Sequence, residues 1–518
     1  MESPHRLEGA KRLLLSLGCF VLLALVFSPS YQAFLLWARV PEAGFMVEVR
    51  RAGSVLEQVQ HPGIVITDGL HGAIQWRLLF PAIAHLLALP APVLFSLSPL
   101  GCVALLFCLV TVLRRRRVSW GLTSLSVLIL GAGSWFFTSV GWLGYFDAWL
   151  ALGLVGVCCA RKPWLLWTAC LLAPWVDERF VLAFPLALSC RYWLWTRAHF
   201  DEAGSAVRAA DTLSAALQET KRPQARWVAD YLVPSLLVVA FAVLRLFVLT
   251  SYSGAHATVG GYLPTQHNFQ VGPWRLLFGI WEGLRCAWLL LGVGLFLGWR
   301  KQGGRVPVLL AGMALLLIAG GLYTAQDFSR SMTMLLPLAV TGLLVLHEQK
   351  ASWLPGFIGG LVLLALLLPA HHVMNDRVDT IYPLQHEIYL LDTPPRELMP
   401  ELYELEGIHK MELGDNAAAE AKFDIAVLLD KHPASALQHR GLLRANQGRW
   451  PEALKDFECL CELEPSDSNS WLLYAQACFA TNQLQAARTH MRKALSQAPE
   501  GWSKRPDVVR FLSKLNQQ

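Results

Sequence analysis

Residues 92–117 read PVLFSLSPLGCVALLFCLVTVLRRRR: an apolar run from Pro92 to Leu113, then four arginines, Arg114, Arg115, Arg116 and Arg117. An α-helix needs ~20 apolar residues to cross a hydrocarbon core of ~30 Å. Basic residues gather on the side of a span that stays in the cytoplasm. This one stretch therefore reads as a membrane helix with its orientation attached. Outward from it, further apolar runs fall at 13–35, 119–138, 145–160, 163–176, 180–195, 228–250, 276–299, 306–323, 333–347 and 353–370. The composition agrees, being 54% hydrophobic with a mean hydropathy of +0.40. Only 16% of residues are charged, against the ~25% of soluble domains. The expected fold class is all-α: a polytopic transmembrane helix bundle of about eleven spans over residues 1–375, a linker over 376–399 and a repeat domain over 400–518.

Orientation follows from the connections. Lys and Arg concentrate in the N-terminus, in 114–117, at Arg161 and Lys162, in the 196–227 loop, at Arg300, Lys301 and Arg305, and at Lys350. The opposite connections hold far fewer, so the N-terminus is expected in the cytoplasm. An odd number of spans then puts the C-terminal domain in a periplasm or lumen. Arg6, Lys11 and Arg12 precede the first apolar run, as in a signal peptide. No small-residue cleavage site follows cleanly, so an uncleaved span is expected. The first outer loop, 36–91, is long, and its apolar stretch 76–89 reads as an interface helix. The 196–227 loop reads as an amphipathic surface helix. The eleven cysteines show no zinc or disulfide spacing. Cys459 and Cys461 sit two apart on an expected helix, facing different sides.

The last 119 residues repeat themselves at a spacing of 34. Gly407, Gly441 and Ala475 share a place; so do Ala419, Ala453 and Ala487, and then Phe423, Phe457 and Met491. Gly414 and Gly448 recur, as do Pro465 and Pro499. Small residues let paired helices approach, a large one fills the gap, and proline ends the second helix. The units begin near Pro400, Ala434 and Ser468, and residues 502–515 are expected to cap them. The pattern resembles the tetratricopeptide family, although Pro433 comes two residues late and Arg444 stands where an aromatic is usual. The expectation is an α-solenoid of three tetratricopeptide repeats. It serves either as a groove for a protein or peptide partner or as a buttress for the membrane part. Residues 400–518 hold 14 Lys and Arg against 16 Asp and Glu, which argues against a nucleic-acid partner.

Chemistry is expected where acids meet the outer face. Asp68 lies in Ile66-Thr67-Asp68-Gly69-Leu70-His71, and Asp147 in Gly144-Tyr145-Phe146-Asp147. Asp177, Glu178 and Arg179 are consecutive, and Asp327 and Arg330 lie in Gln326-Asp327-Phe328-Ser329-Arg330-Ser331. His256 and His267 occupy another outer connection, and His371, His372, Asp376 and Arg377 follow the last span. Ionisable groups at membrane depth are functional candidates, and these could build one polar cavity. Their other reading is the ordinary capping of helices. Within spans, Glu282 and Arg285 share a helix face, and Arg245 lies in the outer part of its helix, able to reach headgroups or a lipid phosphate.

The layout of a cytoplasmic N-terminus, a long first outer loop, many spans and an outer C-terminal domain resembles the GT-C superfamily of membrane glycosyltransferases. The transmembrane-and-tetratricopeptide-repeat O-mannosyltransferases are the nearest architectural parallel. The resemblance implies a sugar moved from a polyprenyl-phosphate carrier to an acceptor hydroxyl. It implies Asp68 as general base or metal ligand, with Asp147, Asp177 and Glu178 completing a catalytic group. Arg330, Arg179 or Arg245 would hold the donor phosphate, with His71 and Asp327 beside it. The first outer loop has no Asp-x-Asp pair, so a divalent metal stays open. The expected partners are a lipid-linked sugar donor and membrane lipids. Two alternatives remain: an O-antigen ligase or polymerase, and a non-enzymatic membrane-anchored repeat scaffold. A reporter active only in the cytoplasm, fused after Gln518, is expected to be silent; activity there would reverse the C-terminal orientation.

Overall fold

The computed structural model describes residues 4–27, 47–62, 77–206, 227–252, 272–302, 305–324, 327–374, 378–381, 383, 400–430, 432–499 and 501–515. These fall into two compact units, one holding the described residues up to 383 and the other those from 400 onward. Asp68, His71, His256, His267, Asp376 and Arg377 lie outside the described residues.

Among the described residues of the first unit, five helices are long and apolar enough to cross a membrane: Leu7–Val26, Ala91–Arg115, Val228–Arg245, Arg305–Tyr323 and Phe328–Glu348. Two helix pairs are apolar enough together but bent at a break between them: Trp120–Gly131 with Ser134–Gly141, by 67°, and Pro273–Leu284 with Ala287–Arg300, by 81°. Asp147–Cys159, Pro163–Val176 and Leu354–Leu367 are apolar but shorter. The described segments thus support several apolar spans. The sequence reading drew the runs 119–138 and 276–299 as continuous, and both are interrupted. Arg285 breaks the second, with φ 49° and ψ −129°. Its guanidinium donates to the Leu368 carbonyl at 2.5 Å and lies 3.7 Å from Glu282. The pairing expected from their i,i+3 spacing is therefore loose, and the break turns the Arg285 side chain onto freed backbone carbonyls instead.

The two breaks lean on each other. Ser134 donates to the Gly283 carbonyl at 3.1 Å and lies 2.8 Å from the Ser329 carbonyl. A side chain at Gly283 would sit 2.1 Å from Met332, so this close approach requires glycine. The segment Phe328–Glu348 is the central post, since its whole apolar window is buried. Ala287–Gln302 lies against it backbone to backbone, where an added carbon at Gly294 would fall 2.2 Å from Gly342. The expected surface helix in the 196–227 loop begins as a continuation of the helix Arg179–Ala206; residues 207–226 lie outside the described residues. Within the apolar stretch 76–89 lies the helix Leu79–Leu87, with Leu86 and Leu87 exposed and Phe80, Pro81 and Ala84 buried. A second helix of the first loop, Val47–Gln60, packs on it, and the Val59 carbonyl lies 2.7 Å from the His85 ring.

One feature departs from an all-α reading. Ala370–Val373 pairs antiparallel with Val378–Ile381, placing His372 opposite Asp379. The last apolar helix ends at Leu367 before Pro369, and the β-branched residues beyond it suit a strand.

The second unit follows the 34-residue register. Pro400–Glu412 pairs with Asn416–Leu429, Ala434–Asn446 with Trp450–Leu463, and Ser468–Ala480 with Leu484–Gln497; Arg505–Leu515 closes the stack. A carbon added at Gly407 would lie 2.6 Å from the Phe423 ring, and one at Gly441 2.5 Å from Phe457. The third repeat keeps the fit by changing both partners, to Ala475 and the narrower Met491, each buried. Arg444, the departure from the aromatic pattern, has one partner in the preceding repeat and one on the second helix of its own. It donates to Glu420 at 2.7 Å and to Asp456 at 3.0 Å. Arg440 bridges Asp424 and Asp456 in the same way. Ion pairs here tie successive repeats together where an aromatic contact would otherwise do so.

Two outcomes follow for a 395–518 fragment. It should show helical circular dichroism, and Ala453→Trp should overpack its fully buried site at a cost of roughly 1–3 kcal/mol in denaturant melts. Glu420 is held down at about 2, chiefly by hydrogen bonds from Arg449 and Arg444. A depressed carboxyl contributes stability above its unfolded value, ~4.3, and loses it as pH falls through the folded one. Glu420→Gln should therefore flatten the loss of stability between about pH 4.5 and pH 2; an unchanged acid limb would remove this pairing from the account.

Candidate functional site

Far from the arginine run 114–117, at the opposite end of the first unit, several connections meet. Asp147 opens the helix Asp147–Cys159, and its side chain is 0% exposed. Arg330 grips it with two bonds, Nε at 2.8 Å and a terminal nitrogen at 3.0 Å. Arg179 donates to the same carboxylate, and the Thr138 hydroxyl lies 3.3 Å away. Arg179 also donates to both oxygens of Asp177, at 2.9 and 2.7 Å. Arg77 reaches Asp177 at 3.1 Å and holds Glu178 by two bonds at 3.0 and 2.8 Å. At the other end Asp327 caps the turn that carries Arg330, accepting from its backbone N–H at 3.1 Å and its side chain at 3.3 Å.

The result is one chain of alternating charge: Asp327, Arg330, Asp147, Arg179, Asp177, Arg77, Glu178. It is most deeply buried at Asp147 and opens toward both ends, where Asp327 and Glu178 are 16% and 18% exposed. Local structure explains each placement. Asp327 and Asp177 sit at helix boundaries, where a carboxylate satisfies the free N–H groups of the following turn. Asp147 stands in the first turn of its helix, where the dipole favours negative charge.

Five residues singled out in sequence as catalytic or phosphate-binding, Asp147, Asp177, Glu178, Arg179 and Arg330, thus come together, and Asp327 joins them. Arg245 lies within electrostatic reach of Glu178. Asp68 and His71, assigned beside them in the sequence reading, fall outside the described residues.

Other residues of the site went unassigned in the sequence. Arg77 stood there only as a member of an apolar stretch; a lone cation amid 76–89 was the available signal. Arg51, on the helix Val47–Gln60, is 8% exposed and donates to the Gly144 carbonyl at 3.2 Å. Among the described residues no carboxylate is paired with it. Its guanidinium lies 6.0 Å from the centre of the Tyr145 ring, and that of Arg330 lies 4.1 Å from the same ring. Two cations therefore flank one aromatic face. His372, named in the sequence among the groups that could build a polar cavity, contacts Asp327 at 3.2 Å and the Ser329 hydroxyl at 3.2 Å, and lies against Trp142.

The chemistry of the chain is that of an anion site. A carboxylate already accepting from two guanidinium groups has little lone-pair capacity left for a substrate proton. Asp147 and Asp177 are better placed to fix the arginines than to act as bases. The same saturation bears on metals: among the described residues no three His, Cys, Asp or Glu side chains gather as ligands. No curated protein matches the chain. A family profile described as tetratricopeptide repeat matches residues 405–467 and again 439–501, so the C-terminal unit carries tetratricopeptide repeats.

Proposed function

We propose that this protein is a membrane glycosyltransferase that moves a sugar from a lipid-phosphate carrier to an acceptor hydroxyl. In this reading about eleven spans cross the membrane, the N-terminus is cytoplasmic, and the charge chain and repeats face the outer side. The observation that carries the reading is the buried Arg51 beside Arg330 and Tyr145, at the head of a chain whose other cations are already paired. An arginine buried with no carboxylate partner among the described residues is costly unless an anion completes it, and a lipid phosphate is an anion of the right kind. Arg51 and Arg330 would take the phosphate, and Asp147 and Asp177 would hold Arg330 and Arg179 in place. The acceptor oxygen attacks the sugar's anomeric carbon, the bond from that carbon to the phosphate oxygen breaks, and the electron pair leaves with the lipid phosphate. Stabilising that developing charge is the arginines' contribution. The acceptor proton would pass to Asp68, the sole Asp of the longest loop in the membrane part.

The tetratricopeptide match at residues 405–501 favours a second reading, a scaffold that recruits a protein partner through its repeats. Transfer from labelled polyprenyl-phosphate sugars by the purified full chain in lipid vesicles separates the two. Asp68→Asn should lower turnover by ~10²-fold or more with insertion intact. Arg330→Ala should chiefly raise KM for the donor, because it removes a phosphate partner. If wild type and Asp68→Asn are equally inert, and only loss of 400–518 has a cellular consequence, the scaffold reading replaces the enzyme.

A further inference from the structure

A groove of about 560 Å³ runs along the outside of the first unit, between the helices Leu79–Leu87, Ala91–Arg115, Asp147–Cys159 and Pro163–Val176. That size suits one bound small molecule or chain. Its wall is almost wholly apolar, with Phe107, Val112, Leu152, Gly156 and Leu172 among its residues, and Arg115 at one end. The lining on Pro163–Val176 extends from Leu165 to Val176; at 1.5 Å per residue that is about 16 Å, roughly one leaflet of a ~30 Å core. Leu172 and Phe107 are 40% and 37% exposed on helices that would face lipid, so the groove opens sideways to the bilayer.

The two ends of the groove differ in charge. Near Val176 and Leu79 the adjoining Arg77 is committed to Asp177 and Glu178. At the other end stand Arg115, which lines the groove, and Arg161 and Lys162, which follow the lining residue Ala160. All three are exposed, and none has a carboxylate partner among the described residues. The helix Pro163–Val176 begins at this same mouth with no side-chain cap, adding the positive end of its dipole. An apolar trough one leaflet deep with three uncommitted cations at its mouth is complementary to one kind of molecule.

We infer that the groove is a binding site for an anionic phospholipid of the leaflet beside Arg115, with one acyl chain along Phe107, Leu152, Gly156 and Leu172 and the phosphate on Arg115, Arg161 and Lys162. The site is distinct from the charge chain, and it stands whether or not the glycosyltransferase reading does. Its lipid would touch the flanks of the two helices whose far ends bear Asp147 and Asp177.

The test uses the full-length protein in detergent, with phosphatidylglycerol, phosphatidylcholine or inorganic phosphate added, read by native mass spectrometry and by thermal melting. Phosphatidylglycerol should stay bound and raise Tm more than phosphatidylcholine, and inorganic phosphate should do neither. Replacing Arg115, Arg161 and Lys162 together by Gln should weaken phosphatidylglycerol about a hundredfold, toward the phosphatidylcholine level. Gly156→Leu, whose added carbon meets only Ala169 at 3.5 Å, should fill the trough and displace both lipids. Should either variant fail to fold, the wild-type comparison still decides. Equal retention of the two phospholipids, or an equal Tm shift from inorganic phosphate, overturns the inference, as does full phosphatidylglycerol selectivity in both variants.

Discussion

The Asp147 carboxylate, fully buried and gripped by Arg330 and Arg179, is the constraint on which the distal end of the first unit is built. A charge cannot be left alone in an apolar bundle, because its desolvation costs several kcal/mol. One carboxylate therefore requires two guanidinium groups, each of these requires a further acid, and the requirement spreads to the surface in both directions. Four separate stretches of chain, around 77, 147, 177 and 327, are held together by it. Apolar packing of the same stretches, as of Phe80 on Phe146, accompanies the charge order.

This arrangement depends on the broken spans. A straight helix through 276–299 would separate Gly283 from Met332, and the turn that carries Asp327 and Arg330 would lose its seat. The break at Arg285 swings the first half of that helix across the bundle. Ser134, at the start of the second half of the other broken span, then fastens it with its hydroxyl. The short strand after the last apolar helix brings His372 to Asp327 from a third direction. Functional candidates and backbone irregularities thus coincide, as expected where irregular backbone is buried in protein rather than exposed to lipid.

How much of this could be read beforehand varies with the physics. The repeat unit was legible to the residue because packing between paired helices imposes a fixed spacing, and Gly407 with Phe423 must recur as Gly441 with Phe457. The acids of the charge chain were legible because charge is rare in such a chain, so each Asp in a short connection between apolar runs stands out. Their partners were less so. Arg77 and Arg51 lie in a loop whose helices are amphipathic, and there a cation looks like surface. Apolar length cannot show a break: 276–299 stays apolar enough to read as one run despite Glu282 and Arg285, and the interruption itself is a matter of backbone torsion. For the same reason a count of apolar runs is not a count of straight helices.

The burial of Asp147 follows from helix length. Asp147–Cys159 has 13 residues, about 20 Å of helix, against a hydrocarbon core of ~30 Å. Its Cys159 end lies by Arg115 and the basic mouth of the groove. If that end is at the membrane surface, Asp147 stops some 10 Å short of the opposite surface. A carboxylate buried in this way cannot be hydrated from the bulk, and Arg330 and Arg179 meet its charge instead. The neighbouring helix Pro163–Val176, with 14 residues, places Asp177 at a similar depth. Both short helices therefore end at the charge chain, where Arg51 and Arg77 from the described residues before Ala91 meet it. Arg51 and Asp147 thus lie where water only partly screens charge, and each guanidinium contact counts for more than it would at an open surface.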